Sequence, residues 1–441
     1  MKCGRFWRRV VGGALAVPVS LPLWGSEAAA GSFALREQSA RGQGSSFAGA
    51  AAGAGGLSSI FWNPASIAFF PGIQSEGDIA LSRRGAEIKP DFTTRGAVAA
   101  SGGVPASSGD IGQTLLSGSS YGSYQVNDRF WVGASVNTPY RFTTKPNQNW
   151  AGQVYARSAR LNTIAATPTA AYRVNDWVTV GLGVTLQSLD LTFKNAIGVA
   201  PGSPSAILTG DDIGFGFSVG ATVQPRPGTM VGVGFRSMVH HDLRGRLLPQ
   251  TGMGQPIRTS LNLPETLSIG LTQRLDERWN LLAGGEWTNW SRLDQPAVVD
   301  RRTGQSVTGL SFRYDDGAFL SFGVEYLWRP ELTMRAGIGF ESTPERDDWH
   351  SPRLPDADRI WTSIGASYQA TEKLGFEIGY SHAFARQAPV RITGAAADFS
   401  GLAFVGDAKP SADIVSVAWR YRWDAPAKPA IATSAGGNLL Y

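Results

Sequence analysis

Apolar and polar side chains alternate with a period of two in many short segments of the chain. In the segment 412–423, Val415, Val417 and Trp419 fall on one face of a strand and Ser416 falls on the other. Successive side chains of a β-strand point to opposite sides, so this period predicts strands. The second face carries glycine, small polar and charged residues, which would give a soluble sandwich no bulky core. We therefore expect the bulky face to contact lipid.

About fourteen such segments follow one another along the chain. They begin near Ile73, Ser119, Arg129, Ala159, Trp177, Asp212, Thr229, Arg258, Arg278, Gly309, Leu332, Asp358, Lys373 and Ala412. Short turns such as VNDR and QATEK alternate with long polar connections such as 84–118 and 385–411. This asymmetry is typical of bacterial barrels, with short turns in the periplasm and long loops outside. The pattern predicts an all-β membrane protein, a fourteen-stranded antiparallel transmembrane β-barrel over residues 73–424.

Four tryptophans stand beside the predicted short turns: Trp131, Trp177, Trp279 and Trp328. Tryptophan is enriched where a membrane protein crosses from hydrocarbon to water, because its ring is largely apolar and its N–H is polar. We therefore expect all four side chains to form an aromatic belt on the outer surface, at the periplasmic edge of the membrane.

The first thirty residues have the pattern of an export signal. Basic residues precede an apolar run of about fourteen residues, and Ala28-Ala29-Ala30 supplies a small-residue cleavage site. The run is shorter than a membrane-spanning helix requires. We predict a signal peptide over residues 1–30, whose removal also removes Cys3, the only cysteine. At the other end, residues 425–441 are rich in proline, alanine and glycine and are predicted to form a disordered tail.

Residues 31–72 show no alternation and are rich in glycine, alanine and serine. A barrel of fourteen strands encloses more space than its own side chains fill, so this stretch is predicted to form a small N-terminal plug, or hatch. Its last part, SSIFWNPASIAFF, places Asn63 before Pro64, which is the pattern of a capped helix start. The predicted helix covers 65–70 and ends at the following Pro-Gly. The aromatic rings around it are expected to pack against the plug or face an apolar lumen.

Charge and motif spacing exclude several classes of function. The formal net charge is +5, and the signal peptide contains four basic residues and one acidic residue, which leaves the rest of the chain near +2. Such a balance does not indicate nucleic-acid binding. His240 and His241 lack the spacing of a metal site and are expected in a loop. Ser381 and His382 are adjacent in a predicted strand and point to opposite sides, so they cannot form a nucleophile–base pair. No catalytic residue, metal or cofactor is predicted, and the protein is not expected to be an enzyme.

Four arginines fall on the polar face of predicted strands: Arg236, Arg335, Arg420 and Arg422. Arginines inside a barrel commonly pair with carboxylates of the plug and the wall, and Glu325 and Glu377 are candidates here. The alternative is that one or more of the four binds the carboxylate of a ligand.

Longer stretches of the chain carry a family resemblance. NPA follows GSFALREQSARGQGSSFAG, and further on come NWAGQVYARSARLNTIAATPTAAYRVND, LPETLSIGLTQRLDERWNLLAGGEWTNWS and ESTPERDDWHSPRLPDADRIWTSIGASY. Together, and in this order, they resemble the FadL family of outer-membrane transporters of long-chain fatty acids and other hydrophobic compounds. The resemblance covers about residues 31–423, which is nearly the whole of the chain after the signal peptide.

The resemblance implies a fourteen-stranded barrel that takes up hydrophobic molecules by diffusion. In such a channel the ligand is captured between extracellular loops and moves to an apolar pocket that the mature N-terminus touches. It then leaves sideways through an inward kink of the third strand, next to the NPA segment. The ligand-binding or gating positions implied here are Gly31, Phe33, Leu35, Asn63, Pro64, Ala65 and Pro139. Pro139 suits a kink, because proline cannot donate a ladder hydrogen bond.

The expected ligand is a long-chain fatty acid or another hydrophobic small molecule. The resemblance also implies a location in the bacterial outer membrane, contact with membrane lipid and lipopolysaccharide, and a monomer. Two alternatives remain open. One is an aromatic-hydrocarbon channel of the same fold. The other is a general diffusion porin, against which the N-terminal segment argues, because a water-filled pore needs no plug.

Overall fold

The computed structural model describes residues 32–249, 254–346, 351–396 and 399–424. The predicted signal peptide, Gly31 and the predicted tail 425–441 lie outside the described residues. Twenty-two strands are present in this part of the chain. They are β1 Ile73–Gly85, β2 Ile88–Pro90, β3 Thr114–Asn127, β4 Phe130–Asn137, β5 Arg141–Thr144, β6 Ser158–Arg173, β7 Val178–Ala196, β8 Ser205–Arg226, β9 Thr229–Arg236, β10 Val239–Pro249, β11 Gln255–Leu263, β12 Thr266–Arg274, β13 Trp279–Thr288, β14 Ala297–Asp300, β15 Ser306–Gly309, β16 Gly317–Arg329, β17 Leu332–Glu341, β18 Arg359–Gln369, β19 Leu374–Ala385, β20 Ala388–Ile392, β21 Phe404–Ala408 and β22 Ser411–Arg422.

Nineteen of these strands form one antiparallel sheet that closes on itself. Closure occurs at β1, where Ile79 faces Val417 of β22 on one side and Gly118 of β3 on the other. Five barrel strands consist of two consecutive segments each: β4 with β5, β9 with β10, β11 with β12, β13 with β14, and β15 with β16. The sheet is therefore a closed barrel of fourteen antiparallel strands, as the alternation predicted.

Short connections such as 128–129 and 227–228 lie at one end of the barrel, and the long ones lie at the other. We call these the short-turn end and the long-loop end. The predicted starts of most strands agree with the structure. Two differ by five residues or more: β3 begins at Thr114 and not near Ser119, and β8 begins at Ser205 and not near Asp212.

The two faces of the strands differ as expected for a barrel in lipid. Val415, Val417 and Trp419 of β22 are 44–47% exposed on the outside, whereas Ser416 is buried. The predicted lipid-facing side is thereby confirmed. The aromatic belt is confirmed for three of the four tryptophans, but the prediction for Trp131 was wrong.

Trp131 is 1% exposed and lies inside the barrel. Its indole Nε1 donates to the carbonyl of Phe70 over 3.2 Å, and the guanidinium of Arg173 lies 4.7 Å from the centre of its ring. Closeness to a turn does not determine which face a strand residue occupies. In β4 the alternation places Trp131 on the same inward face as Ser135 and Asn137, which are both buried.

Residues 32–72 lie within the barrel and are almost entirely buried. They contain the short helix α1 Ala40–Gln43 and the 3₁₀ helices Ala50–Ala52, Gly56–Phe61 and Pro64–Phe69. Glycines of the wall make room for them. A Cβ atom at any of the following positions would lie 1.8–2.9 Å from an atom of this segment: Gly133, Gly181, Gly220, Gly232, Gly270, Gly323, Gly337, Gly365 and Gly379. The glycine-rich inner face thus matches the backbone of the N-terminal segment.

A small cap covers part of the long-loop end. It consists of the three-stranded sheet β2–β21–β20 and the helix α2 Phe92–Ala100, which Asp91 caps by accepting from the N–H of Thr94 over 2.7 Å. An apolar cluster that includes Ile88, Trp150 and Phe404 holds the cap together. The helices in the described part of the chain are all too short or too polar to cross a membrane.

Candidate functional site

The NPA tripeptide begins a buried 3₁₀ helix, as the sequence predicted. Asn63 has extended backbone angles, and its Oδ1 accepts from the N–H of Ala65 over 3.0 Å, while Pro64 takes the first helical position. The amide Nδ2 of Asn63 also donates to Ala51 over 2.7 Å and to Ala221 of β8 over 3.0 Å. The side chain therefore caps the helix, joins two parts of the N-terminal segment, and ties both to the barrel wall.

The third barrel strand is interrupted at 138–140, between β4 and β5. The second barrel strand, β3, pairs with the β4 segment of the third strand only as far as Ser120, which is opposite Val136. Beyond that point the third strand continues as β5, which pairs with the fourth strand, β6. The part of β3 before Ser120 pairs with the first strand, β1. The ladder between the second and third strands is thus absent near Pro139, which is consistent with the missing N–H of proline. We call this interruption the wall gap.

The free edge of the third strand at the wall gap is occupied by the N-terminal segment. The N–H of Leu35 donates to the carbonyl of Pro139 over 2.8 Å, and the N–H of Arg141 donates to the carbonyl of Phe33 over 2.9 Å. Ala34 and Tyr140 form the antiparallel bridge between these two bonds. Residues 33–35 therefore take the position along this edge that the second strand would otherwise hold.

Gln38 fixes this arrangement, although the sequence did not indicate it. Its Nε2 donates to the carbonyls of Leu35 over 2.9 Å and Thr138 over 2.8 Å. Its Oε1 accepts from the hydroxyl of Ser119 over 2.9 Å, and its backbone carbonyl accepts from the hydroxyl of Tyr121 over 2.6 Å. Gln38 thus joins the N-terminal segment to both sides of the wall gap. A glutamine in a stretch without periodicity gives no sequence signal for such a role.

Phe33 fills the centre of an apolar chamber inside the barrel. Its side chain is fully buried, and its ring centre lies 4.9 Å from that of Trp290, 5.6 Å from that of Phe142 and 5.9 Å from that of Tyr140. Leucines of several strands complete the chamber: Leu161, Leu189, Leu191, Leu243, Leu261 and Leu263. Leu35 is also buried but does not belong to this cluster, so only one of the two predicted apolar side chains reaches into it.

Two cavities lie on either side of residues 33–35. The outer cavity opens toward the long loops and is lined by Ser32, Phe142 and Leu354 among others. The inner cavity is lined by Phe61, Pro139, Tyr140 and Arg236 among others. Phe142 and Tyr140 also contact Phe33. The Phe33 side chain and the chamber around it therefore separate the two cavities.

Polar contacts hold the start of the segment at the outer cavity. The N–H of Ser32 donates to Oδ2 of Asp356 over 2.8 Å, and its hydroxyl donates to the hydroxyl of Tyr314 over 3.1 Å. Burial raises the pKa of Tyr314 well above its usual range. The Tyr314 hydroxyl therefore stays neutral and available as a hydrogen-bonding group at neutral pH.

The four inward arginines differ in their partners. Arg335 forms ion pairs with Glu325 at 2.6 Å and with Glu377 at 3.4 Å, which confirms the predicted pairing for this residue. Arg420 donates to the side-chain carbonyl of Gln369 over 3.0 Å. Arg236 is different, because its guanidinium lies 3.9 Å from the ring centre of Phe61 and faces the inner cavity.

Among the described residues, no carboxylate oxygen lies within 4 Å of the Arg236 side-chain nitrogens. A cation over an aromatic face is held in position while its hydrogen-bond donors remain available. Arg236 is thus held at the inner cavity in a position that suits an incoming anion, whereas Arg422 lines a different cavity at the short-turn end.

The structure brings the candidate positions into two groups. Phe33, Leu35 and Pro139 meet at the wall gap. Asn63, Pro64 and Ala65 lie against Gly181 of β7 and Gly220 of β8, so the NPA tripeptide itself does not border the wall gap. The helix that it begins reaches toward the wall gap, because Ile67 contacts Gly133 of β4. Phe61, the last residue of the preceding 3₁₀ helix, lines the inner cavity. Gly31 lies outside the described residues.

A closed barrel is also what comparison with known proteins finds. The model of the outer membrane protein transport protein family (OMPP1/FadL/TodX) matches residues 22–423. The chain belongs to this family. It is 26% identical over 409 residues to the long-chain fatty acid transport protein of Escherichia coli, which covers 83% of this chain and 90% of that protein. It is 25% identical over 413 residues to outer membrane protein P1 of Haemophilus influenzae, which covers 83% of this chain and 88% of that protein.

Solved structures of FadL-like proteins share the fold. A Pseudomonas aeruginosa FadL homologue matches with a TM-score of 0.80 and 22% identity, covering 89% of this chain and all of that one. The toluene transporter TodX of Pseudomonas putida matches with a TM-score of 0.64 and 16% identity, covering 84% of this chain and 95% of that one. Membership of the OMPP1/FadL/TodX family, together with the closed barrel, places this protein in the bacterial outer membrane, as a transporter of hydrophobic compounds. It also assigns the short-turn end to the periplasm and the long-loop end to the exterior.

Proposed function

We propose that the protein is a passive uptake channel in which residues 33–35 gate a lateral exit for long-chain fatty acids or similar hydrophobic molecules. The observation that carries the proposal is the pairing of residues 33–35 with the edge of the third strand at the wall gap. The same residues place Phe33 at the centre of the apolar chamber. A ligand that displaces Phe33 from the chamber therefore also withdraws the backbone that covers the gap.

The proposed route begins at the outer cavity, where extracellular loops capture the ligand. The ligand then enters the chamber, exchanges its apolar contacts for those of Phe33, and passes to the inner cavity. Release into periplasmic water would expose the apolar chain again, whereas release through the wall gap transfers it directly to lipid. The capped helix of Asn63, Pro64 and Ala65 supplies a fixed floor that favours this sideways path, because the Asn63 side chain ties it to the wall.

The N-terminal segment takes the role of the plug in this proposal. Residues 32–72 block the direct path along the barrel axis, which disfavours a general diffusion porin with a water-filled lumen. We also propose that the channel works as a monomer, surrounded by membrane lipid and lipopolysaccharide. In the part of the chain that the structure describes, the first and last barrel strands pair with each other, so neither leaves an edge that would require a second copy.

A fatty acid fits the interior better than an aromatic hydrocarbon does. Toluene-like molecules offer no charged group, so they could not form an ion pair with a cation facing the inner cavity. Arg236 lies between the rings of the path and the small polar residues Ser135, Asn137 and Gln187, which also line this cavity. The carboxylate group of a fatty acid could pair with Arg236 there, whether the carboxylate enters the cavity before or after the apolar chain. A carboxylate–arginine hydrogen bond contributes about 1.5–3 kcal/mol.

Replacing Arg236 with glutamine is expected to weaken oleate binding roughly tenfold to a hundredfold, because the charged hydrogen bond is lost. Binding of methyl oleate, which has no charge, should change little. Both affinities can be measured by titration of purified protein in detergent micelles. Arg160→Gln is the matched control, because Arg160 is exposed on the outer surface and pairs with Asp190 at 3.4 Å.

An equal loss of affinity for oleate and methyl oleate in the Arg236 variant would contradict the carboxylate role. It would mean that the substitution changes the shape of the cavity and not an interaction with the carboxylate. Failure of the unmodified protein to bind either compound, together with tight binding of toluene, would instead support the aromatic-hydrocarbon alternative.

A further inference from the structure

Three arginines form a basic group on the outer surface of the seventh and eighth barrel strands. Arg244 of β10 faces Arg258 of β11 directly, and Arg246 lies two residues further along β10, opposite Pro256. All three side chains are exposed. Two exposed residues directly opposite in antiparallel strands have Cβ atoms about 4.5–5.5 Å apart, and like charges in that arrangement are destabilising. Arg244 and Arg258 therefore place two positive charges close together, which is unfavourable for that pair.

Two carboxylates lie near this group but form no ion pair with it. Asp211 of β8 is opposite Arg244 in the sheet, and Asp242 lies two residues before Arg244 on the same strand. In the described part of the chain, however, no carboxylate oxygen lies within 4 Å of a side-chain nitrogen of Arg244, Arg246 or Arg258. Other exposed arginines nearby do have partners, such as Arg160 with Asp190. The group of three is thus open to an anion from outside the protein.

The position of the three arginines relative to the apolar outer surface indicates which anion they would meet. On β8, the outward side chains Phe215 and Ile213 are 72% and 60% exposed and belong to the apolar band. The next outward residue toward the exterior is Asp211, which is opposite Arg244. Successive outward residues lie about 6–7 Å apart along a strand. The arginines therefore stand just beyond the hydrocarbon, at the depth of the headgroups of the outer leaflet.

We propose that Arg244, Arg246 and Arg258 bind the phosphate groups of lipopolysaccharide. The planar guanidinium presents paired donors that match phosphate oxygens, which makes arginine suited to this headgroup. This inference rests on the proposed function, which includes contact with lipopolysaccharide, and it places that contact on one side of the barrel. Bound phosphate would also remove the repulsion between Arg244 and Arg258, which explains why an exposed pair of like charges is tolerated.

The test compares lipid A carrying both phosphates with dephosphorylated lipid A, by native mass spectrometry of the purified full-length protein. The unmodified protein should prefer the phosphorylated form at least tenfold. The triple variant Arg244→Gln, Arg246→Gln, Arg258→Gln should lose most of this preference. The control removes three exposed arginines beside the periplasmic turns, Arg129→Gln, Arg278→Gln and Arg329→Gln, and should keep it.

A triple variant that keeps the preference would overturn the assignment of these three arginines, while still supporting contact with lipopolysaccharide. An unmodified protein that binds both forms equally would overturn the proposed contact itself. Heat-modifiable migration on gels confirms that each variant is a folded barrel, so a loss of binding cannot come from misassembly.

Discussion

Replacing Gly232 with valine is expected to expel the N-terminal segment from its seat in the barrel. A Cβ atom at this position would lie 1.8 Å from the carbonyl oxygen of Ala51, which belongs to backbone and not to a flexible side chain. The segment has little freedom to shift, because the amide of Asn63 also donates to Ala51. Overpacking of this kind costs about 1–3 kcal/mol or more. Since the barrel is closed by its own strand pairs, the barrel should persist while the segment moves.

The expected result is a severalfold rise in single-channel conductance of the Gly232→Val variant in planar bilayers, with a normal heat-modifiable barrel. Gly122→Val is the matched control, because no atom lies within 4 Å of a Cβ built at Gly122. That control should behave as the unmodified protein does. Unchanged conductance in the Gly232 variant would mean that residues 31–72 do not act as a plug.

Replacing Phe33 with alanine is expected to increase fatty-acid affinity roughly tenfold to a hundredfold. In the resting protein this side chain occupies the chamber that a ligand must enter, and burying a phenylalanine contributes about 1.5–3 kcal/mol. A ligand that displaces Phe33 loses that amount, whereas alanine presents no comparable competitor. The measurement is equilibrium binding of oleate to the purified variant.

The control for this substitution is Phe322→Ala, because Phe322 is 56% exposed on the lipid-facing surface of β16. It removes the same side chain without opening the chamber, so oleate affinity should stay unchanged. Weaker oleate binding in the Phe33 variant would show that this ring is part of the ligand site and not a competitor for it.

The barrel could be predicted from sequence because the alternation of side chains within each strand already separates its apolar face from its polar face. Val417 and Ile378 alternate with small or polar neighbours, and both are about half exposed on the outside. The assignment of Trp131 failed where proximity to a turn was used in place of this alternation. The capped start at Asn63 and Pro64 could also be predicted, since the cap and the proline position act within one helical turn.

The gate could not be derived from these local signals. The pairing of residues 33–35 with the third strand joins parts of the chain that are distant in sequence, and the N-terminal segment has no period that would set a register. Pro139 indicated that the strand breaks, but not what covers the break. The role of Gln38 depends on four contacts with Leu35, Thr138, Ser119 and Tyr121, and none of them is encoded in its immediate neighbours.

A disulfide between residues 34 and 140 tests the central claim, which is that residues 33–35 must leave the third strand for transport to occur. The bridge between Ala34 and Tyr140 is flanked by the hydrogen bonds of Leu35 and Arg141, so it is a pair whose Cα atoms lie about 4.5 Å apart. This spacing is compatible with a disulfide. The double variant Ala34→Cys, Tyr140→Cys also has no competing thiol once the predicted signal peptide is removed, because Cys3 is the only cysteine of the chain.

The measurement is uptake of labelled oleate by cells carrying the double variant, before and after treatment with dithiothreitol, with each single-cysteine variant as a control. We expect that the oxidised double variant loses most of its uptake, that reduction restores it, and that the single variants do not respond to reductant. Full uptake by the oxidised double variant, with the disulfide confirmed by mass spectrometry, would show that residues 33–35 need not leave the third strand.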